Sequence, residues 1–275
     1  MSKGILVFAH NNSEIDYVKQ AAFLAKRAEQ YLSIPVSIVT DKQSINDRYK
    51  DVFDKIIIND ITVESSKKYF YNSAKTHKVL DFKNDDRVLA FDLSPYDETI
   101  VLDSDYVIAD SILKNAYDSA YDFLIYKDAI DLASRDTSEF KFISETSVDF
   151  YWATCVFFRK TELNRTFFNL LKHIQENYRH YRNVYNIVST TYRNDYAFSI
   201  AIHIMNNFKQ GNFAKSMPGK LFFTADRDLV HSIQDDKFTF LLQKENTIDQ
   251  FIPCKFLGNS VHVMNKYALE EIIDA

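Results

Sequence analysis

The stretch Ile100-Val101-Leu102-Asp103-Ser104-Asp105 constrains this chain more than any other. An apolar run ends abruptly in two carboxylates separated by one small residue. A short apolar run with polar boundaries suits a strand buried on both faces, and strands of α/β sheets present their ligand-binding groups at their carboxyl ends. Two aspartates two positions apart on extended chain point the same way, roughly 7 Å apart at the backbone. Side by side they repel, and a divalent cation removes that repulsion. Hard oxygen ligands suit Mg²⁺ or Mn²⁺, and Mg²⁺ typically takes one or two carboxylates plus substrate phosphates. The expectation is a metal–diphosphate site. The plain alternative is a strand end that uses polar residues to leave the core.

The remaining segments supply the strands and helices around it. Gly4-Ile5-Leu6-Val7-Phe8-Ala9 reads as a buried first strand. Ser13 offers an N-cap with Asp16 three residues on, an approximate capping box. From Ile15 to Leu32 the apolar residues Val18, Ala21, Ala22, Leu24, Ala25 and Leu32 recur at helical intervals. Pro35 breaks that helix, Val36–Thr40 is a second strand, and Phe53–Ile58 holds a shorter third. Strand, helix, strand, strand is how an α/β nucleotide-binding half opens. Residues 63–92 are polar and expected to be helical, and Pro95-Tyr96 signals a turn before the Asp103 strand. Strands are expected at 121–126 and 150–159, helices at 162–181 and 195–208, and short strands from Gly211 onward. Residues 127–147 read as a loop near the site. No repeat or linker divides the chain, so one domain over 1–275 is expected, built of two fused halves, 1–110 and 111–275.

Composition narrows the chemistry. At 275 residues and 46% hydrophobic, the chain can fold around a sizeable core. Its four glycines, Gly4, Gly211, Gly219 and Gly258, are scattered, which excludes the dinucleotide fingerprint and the P-loop. Phosphate must therefore be held by metal and side chains. Two distant cysteines, Cys155 and Cys254, build neither a zinc site nor a disulfide framework. No targeting segment or membrane-length apolar run is visible, so a soluble cytoplasmic protein with no membrane partner is expected.

Leu93-Ser94-Pro95-Tyr96-Asp97-Glu98-Thr99, running into Asp103-Ser104-Asp105, resembles the segment that leads into the Asp-x-Asp motif of GT-A-fold glycosyltransferases. The resemblance implies an α/β, Rossmann-like single domain with a central, mostly parallel sheet flanked by helices. It implies Mn²⁺ or Mg²⁺ on Asp103 and Asp105, with Ser104 between them, holding the diphosphate of a nucleotide-sugar donor such as UDP-glucose. It places nucleoside contacts at Ala9, His10 and Asn11 after the first strand and at Asp41 after the second, and a basic residue for the diphosphate at Lys75 or Lys78. In the glycogenin-like retaining members a late His completes the metal shell and a nearby Lys meets the leaving diphosphate. His262 and Lys266 match that order, without the family's flanking His-Phe and Lys-Pro-Trp. Asn194-Asp195-Tyr196 resembles the helix start that touches the donor sugar, which makes Asp195 a catalytic candidate with Lys266. Ala153-Thr154-Cys155-Val156 stands where the family has a glycine.

Charge is uneven. The formal net charge is -5, yet between Arg159 and Arg193 the bases Arg159, Lys160, Arg165, Lys172, Arg179, Arg182 and Arg193 face only Glu162 and Glu176, with tyrosines interleaved. A basic, aromatic-laced segment on an acidic protein fits a nucleic-acid surface. Abundant Lys, Asn, Asp, Ile, Phe and Tyr suggest an AT-rich coding sequence, as in many phages. An AT-rich, glycosyltransferase-like, cytoplasmic chain is similar to phage enzymes that glycosylate hydroxymethylcytosine DNA, including T-even secondary glucosyltransferases and an arabinosyltransferase, which implies double-stranded modified DNA as acceptor in a host cytoplasm. The alternatives are a transferase acting on a surface glycan or lipopolysaccharide, an inactive nucleotide-sugar-binding module, and a metal-dependent nuclease.

Overall fold

The apolar runs become the middle of a six-stranded sheet in the computed structural model, which describes residues 1–60, 66–71, 76–83 and 86–273. In chain order the first elements are β1 (Lys3–Phe8), α1 (Tyr17–Leu32), β2 (Val36–Thr40), β3 (Ile56–Ile58), β4 (Ser66–Tyr71), β5 (His77–Phe82), α2 (Ala90–Leu93), β6 (Glu98–Leu102), β7 (Tyr106–Val107), β8 (Phe123–Tyr126) and β9 (Ala129–Asp131). Then follow β10 (Trp152–Arg159), α3 (Glu162–Glu176), α4 (Tyr178–Val184), α5 (Asn194–Met205), β11 (Leu221–Thr224), β12 (Leu229–Gln234), β13 (Lys237–Gln243), β14 (Phe251–Leu257), β15 (Val261–Val263) and α6 (Lys266–Ile272). The main sheet has the order β3-β2-β1-β6-β10-β8. Strands β3, β2, β1 and β6 are parallel, and β10 alone runs against its neighbours β6 and β8. This is the mixed α/β architecture with a mostly parallel central sheet, and helices pack on it, α1 against β2 and α5 against β10. Ile5, Leu6, Val7, Ile100, Leu102, Cys155, Val156 and Phe157 are buried at its centre, as strands covered on both faces require.

The lead-in motif has a structural role at the end of the sheet away from the two aspartates. The Tyr96 ring lies against Gly4, where a Cβ would come within 2.2 Å of it. Its hydroxyl meets Ser37 Oγ at 2.6 Å and donates to Asp54 at 3.0 Å, and Ser94 Oγ meets Thr99 Oγ1 at 2.6 Å. These bonds pin the start of β6 to β1 and β2, and so set the register that delivers Asp103 to the other end.

Two expectations are corrected. Residues 63–92 are not a helix over the described part: β4 and β5 form an antiparallel ribbon, and only Asp86–Leu89 (3₁₀) and α2 are helical. Within the ribbon Phe70 and Leu80 are buried and Tyr69 and Val79 exposed, a period of two that aromatic and β-branched residues favour. Ser13 does not cap α1. Asp16 does, accepting from Lys19 N at 2.8 Å, while Asn12 Oδ1 accepts from Glu14 N and Ile15 N and so organises the preceding turn. The 127–147 loop contains β9 and a 3₁₀ turn at Ser138–Phe140. A second sheet, β7-β15-β11-β9, carries the late segment back beside β6.

Candidate metal and diphosphate site

Chain reversal directly after β6 creates the site. Asp103 N donates to Thr154 O at 3.0 Å and Tyr106 N to Asp103 O at 3.1 Å, so the backbone turns and β7 starts at once. Strand β7 pairs antiparallel with β15, His262 opposite Tyr106, and Val263 N donates to Asp105 O at 3.0 Å. This pairing brings His262 across 157 positions of sequence to the two aspartates. One ligand atom from each of Asp103, Asp105 and His262 lies within 4.8 Å of the others. His262 Nε2 is 3.2 Å from Asp105 Oδ2 and 3.7 Å from Asp103 Oδ2, and its Nδ1 is 3.5 Å from Thr154 Oγ1.

The two acids are balanced by cations from elsewhere. Lys266 Nζ donates to Asp105 Oδ2 at 2.5 Å and to Met264 O at 3.0 Å. Arg87, almost fully buried, donates to Asp103 and to the carbonyl of Ala153. Burial alone would raise the pKa of Asp105, yet the charges and hydrogen bonds of Lys266 and His262 hold its carboxyl well below the usual carboxylate range. Lys266 moves the other way: burial lowers its pKa, and Asp105 more than restores it. The Asp105 carboxyl is therefore held in its charged form. Two carboxylates and one imidazole are a donor set that a divalent cation can use. Asp103, Asp105 and His262 are the group of three potential metal-ligating residues among the described residues.

These groups line a cavity of about 480 Å³. His10, Ser104, Asp195 and Lys266, singled out in the sequence, also line it. Asp195 is held by Ala153 N at 2.9 Å and Arg193 at 2.8 Å. His10 lies between Asp41 at 3.1 Å and the buried Asp86 at 2.8 Å; burial would lower its pKa, and the two carboxylates raise it above 6.5. Asp41 therefore meets the cavity through His10. Ala9 is buried and spends its N–H on Val39 O. Asn11 is tied into its own loop, accepting from Val18 N and donating to Asp16 and Ser44 O. Lys78 is not brought to the site: it bonds Glu14 at 2.6 Å, outside the cavity lining. Lys75 lies outside the described residues.

Sequence reasoning missed Asp86, Arg87, Lys67, Lys68, Lys83, Arg193 and Asp226, all but Asp86 in the lining. The one available signal was the charged pair Asp86-Arg87 opening directly onto Val88-Leu89-Ala90-Phe91. The basic segment does not form one surface. Arg159 pairs with β6 at Glu98, five residues from Asp103 and so about 16 Å from the site. Lys160 donates to Ser94 O, Arg182 to Ile187 O and Val188 O, and Arg193 faces the cavity. Arg165, Lys172 and Arg179, seven residues apart, remain exposed along α3 and α4.

A mostly parallel α/β sheet whose central strand delivers two carboxylates to an imidazole defines a candidate divalent-cation site at the carboxyl end of that strand. No family model matches the chain, and no curated protein matches it. Among solved structures, it is similar to the galactosyltransferase LgtC in complex with donor and acceptor sugar analogs, with 14% identity, 72% of this chain and 70% of that chain covered, and a TM-score of 0.46. It is similar to mouse xyloside xylosyltransferase 1 at 12% identity, with 78% and 85% covered and a TM-score of 0.46. It is also similar to the glycosyltransferase GlyE of Streptococcus pneumoniae TIGR4 at 11% identity, with 78% of this chain covered and a TM-score of 0.44; there the chain spans 45% of the other's length. No described helix is long and apolar enough to cross a membrane.

Proposed function

We propose that this chain is a metal-dependent glycosyltransferase that moves a sugar from a nucleoside diphosphate, UDP-glucose being the first candidate, to an acceptor hydroxyl. The observation that carries the proposal is the Asp103–Asp105–His262 group set in a cavity with Lys266 and Arg87 already paired to its carboxylates. An ion held there supplies charge neutralisation for the departing diphosphate. Asp103, Asp105 and His262 would hold that ion, and Lys266 and Arg87, the cations beside these carboxylates, would meet phosphate oxygens, where preorganised cations act most strongly. Asp195, fixed by Ala153 N and Arg193, would accept from donor-sugar hydroxyls. Phe140 and Trp152 give the cavity an aromatic wall that excludes water and limits hydrolysis. The bond between the anomeric carbon and the phosphate oxygen breaks, the acceptor oxygen bonds that carbon, and the leaving phosphate takes the acceptor's proton. That sequence needs no separate base and suits retention of configuration. Residues 1–110 would form the donor half and 111–275 the acceptor half.

For the acceptor we propose a hydroxyl of a sugar, with glucosylated hydroxymethylcytosine DNA as the first source. A sugar already on the base projects into the groove and spares the enzyme a base flip. Arg165, Lys172 and Arg179 are the exposed cations that would meet its phosphates. A surface glycan is the second source, favoured by the aromatic wall and by the dispersal of the other basic residues. The test is incubation with Mn²⁺, a panel of nucleotide sugars, and glucosylated or hydroxymethylated DNA or free oligosaccharides. Mass analysis of the digested nucleosides and sugars should show one added sugar in a single arm. Unchanged masses throughout, with no nucleoside diphosphate released, would refute the proposal.

A further inference from the structure

The β4–β5 ribbon places a lysine where its own pattern calls for an apolar side chain. Lys68 and Phe70 are two apart on β4, so they point to the same side. Lys68 pairs across the ribbon with Leu80, and Ser66 with Phe82. Phe70 and Leu80 are buried, whereas Tyr69 on the other side is exposed. The inward face is thus Phe70, Leu80, Phe82 and Lys68, and Lys68 lines the same cavity as Asp103, Asp105 and Lys266. Its ammonium lies 5.9 Å from the Phe70 ring and 5.4 Å from the Phe82 ring. It has no carboxylate partner among the described residues, whereas Lys266 holds Asp105 and Arg193 holds Asp195. Burial lowers its pKa, and the neighbouring Lys266 and Arg193 push the same way against Asp226 and Asp105. An inward-facing cation with cationic neighbours and no directly paired carboxylate among the described residues costs stability in the free protein.

The ribbon that carries it is tied to the rest of the site. Arg227 donates to the Tyr71 hydroxyl at 3.0 Å, with its guanidinium 4.5 Å from that ring. Lys78 meets Glu14, which also accepts from the hydroxyl of Tyr267, the neighbour of Lys266. A two-stranded ribbon is marginal by itself, so these links set where Lys68 is held.

We propose that Lys68 is a positioning residue for a substrate anion: it binds the donor's phosphate oxygens from the ribbon, alongside Lys266 from α6. This rests on the nucleotide-sugar reading. The diphosphate is the group in that reading that brings negative charge into the cavity in excess of the bound ion and its two carboxylates. A lysine serves it as a point charge on a flexible stem.

The test compares the wild type with Lys68→Met, which keeps the stem and removes the charge, and with Lys68→Arg. Calorimetry measures binding of inorganic pyrophosphate, UDP and uridine in the presence of Mn²⁺, and a thermal melt is recorded without ligand. Lys68→Met should weaken pyrophosphate and UDP about tenfold to a hundredfold, leave uridine unchanged, and melt at or above the wild-type temperature. Lys68→Arg should recover most of the loss. Equal pyrophosphate affinity in wild type and Lys68→Met would overturn the assignment while leaving the donor reading intact; so would a lower ligand-free melting temperature with uridine and UDP weakened alike. A wild type that binds neither pyrophosphate nor any nucleoside diphosphate with Mn²⁺ removes the donor reading, and the assignment with it.

Discussion

Replacing Asp105 by asparagine separates the electrostatics of the site from its packing. Asp105 is 3% exposed and accepts from Lys266 at 2.5 Å, with His262 Nε2 at 3.2 Å. Asparagine keeps the shape and one acceptor oxygen but leaves the Lys266 ammonium buried without its counter-charge. Breaking one partner out of a buried pair costs about 3–5 kcal/mol. The retained oxygen and the Met264 carbonyl favour the low end, about 3 kcal/mol. For a chain of this size that corresponds to roughly 6–12 °C in melting temperature. Adding Lys266→Met removes the stranded charge, and the double variant should return to within about 1 kcal/mol of the wild type, since apolar replacement of a buried pair is often neutral. Metal response should not return with it. Wild type at a hundredfold excess of Mn²⁺ over its dissociation constant gains about 2.7 kcal/mol, and both variants should gain almost nothing. Differential scanning fluorimetry with and without Mn²⁺ reads all of these values. A single variant that melts within about 2 °C of the wild type and keeps its Mn²⁺ shift would refute the reasoning, because Asp105 would then be neither counter-ion nor ligand.

Arg87→Ala should destabilise the metal-free protein by about 3 kcal/mol, since Asp103 and the Ala153 carbonyl lose a buried donor; the loss should shrink when Mn²⁺ is added, because the ion takes over the charge of Asp103, and urea titrations with and without metal check it. The His10 pKa is raised in the folded protein, so its pairing with Asp41 and Asp86 stabilises fully below about pH 6.5 and is lost as pH rises through the raised value; the stability gap between wild type and His10→Gln should close between pH 6 and alkaline pH in denaturant titrations. Reversing Arg165, Lys172 and Arg179 to glutamate should change stability by less than about 0.5 kcal/mol each and, for a DNA acceptor, flatten the salt dependence of binding by about 0.9 in log–log slope for each phosphate contact removed; an unchanged slope assigns the acceptor to a glycan. Gly4→Ala should cost about 1–3 kcal/mol by overpacking, because its methyl would collide with the Tyr96 ring, and a thermal melt reads it.

The central carboxylates were legible because two local signals coincide in them. An apolar run long enough for a buried strand stops at Asp103, and period-two geometry then points Asp103 and Asp105 together whatever surrounds them. The late His262–Lys266 pair was legible only through resemblance, since nothing local marks a histidine between two valines as a ligand. The β4–β5 ribbon was misread because five lysines in 67–83 obscure its alternation, and because strands that short carry little periodic signal.

What the sequence by itself determined is the α/β class, the β1–α1–β2 opening and the strand that ends in Asp103 and Asp105. These follow from the hydrophobic pattern of contiguous residues. Only the tertiary structure decided which distant charges enter the core: Arg87 onto Asp103, Lys266 onto Asp105, and Lys68 inward with no carboxylate paired to it among the described residues, while Arg159 and Arg182 were spent elsewhere. The reason is physical. Burial of an apolar side chain is favoured by its own chemistry, whereas burial of a charge is favoured only by a partner, and that partner can lie anywhere along the chain.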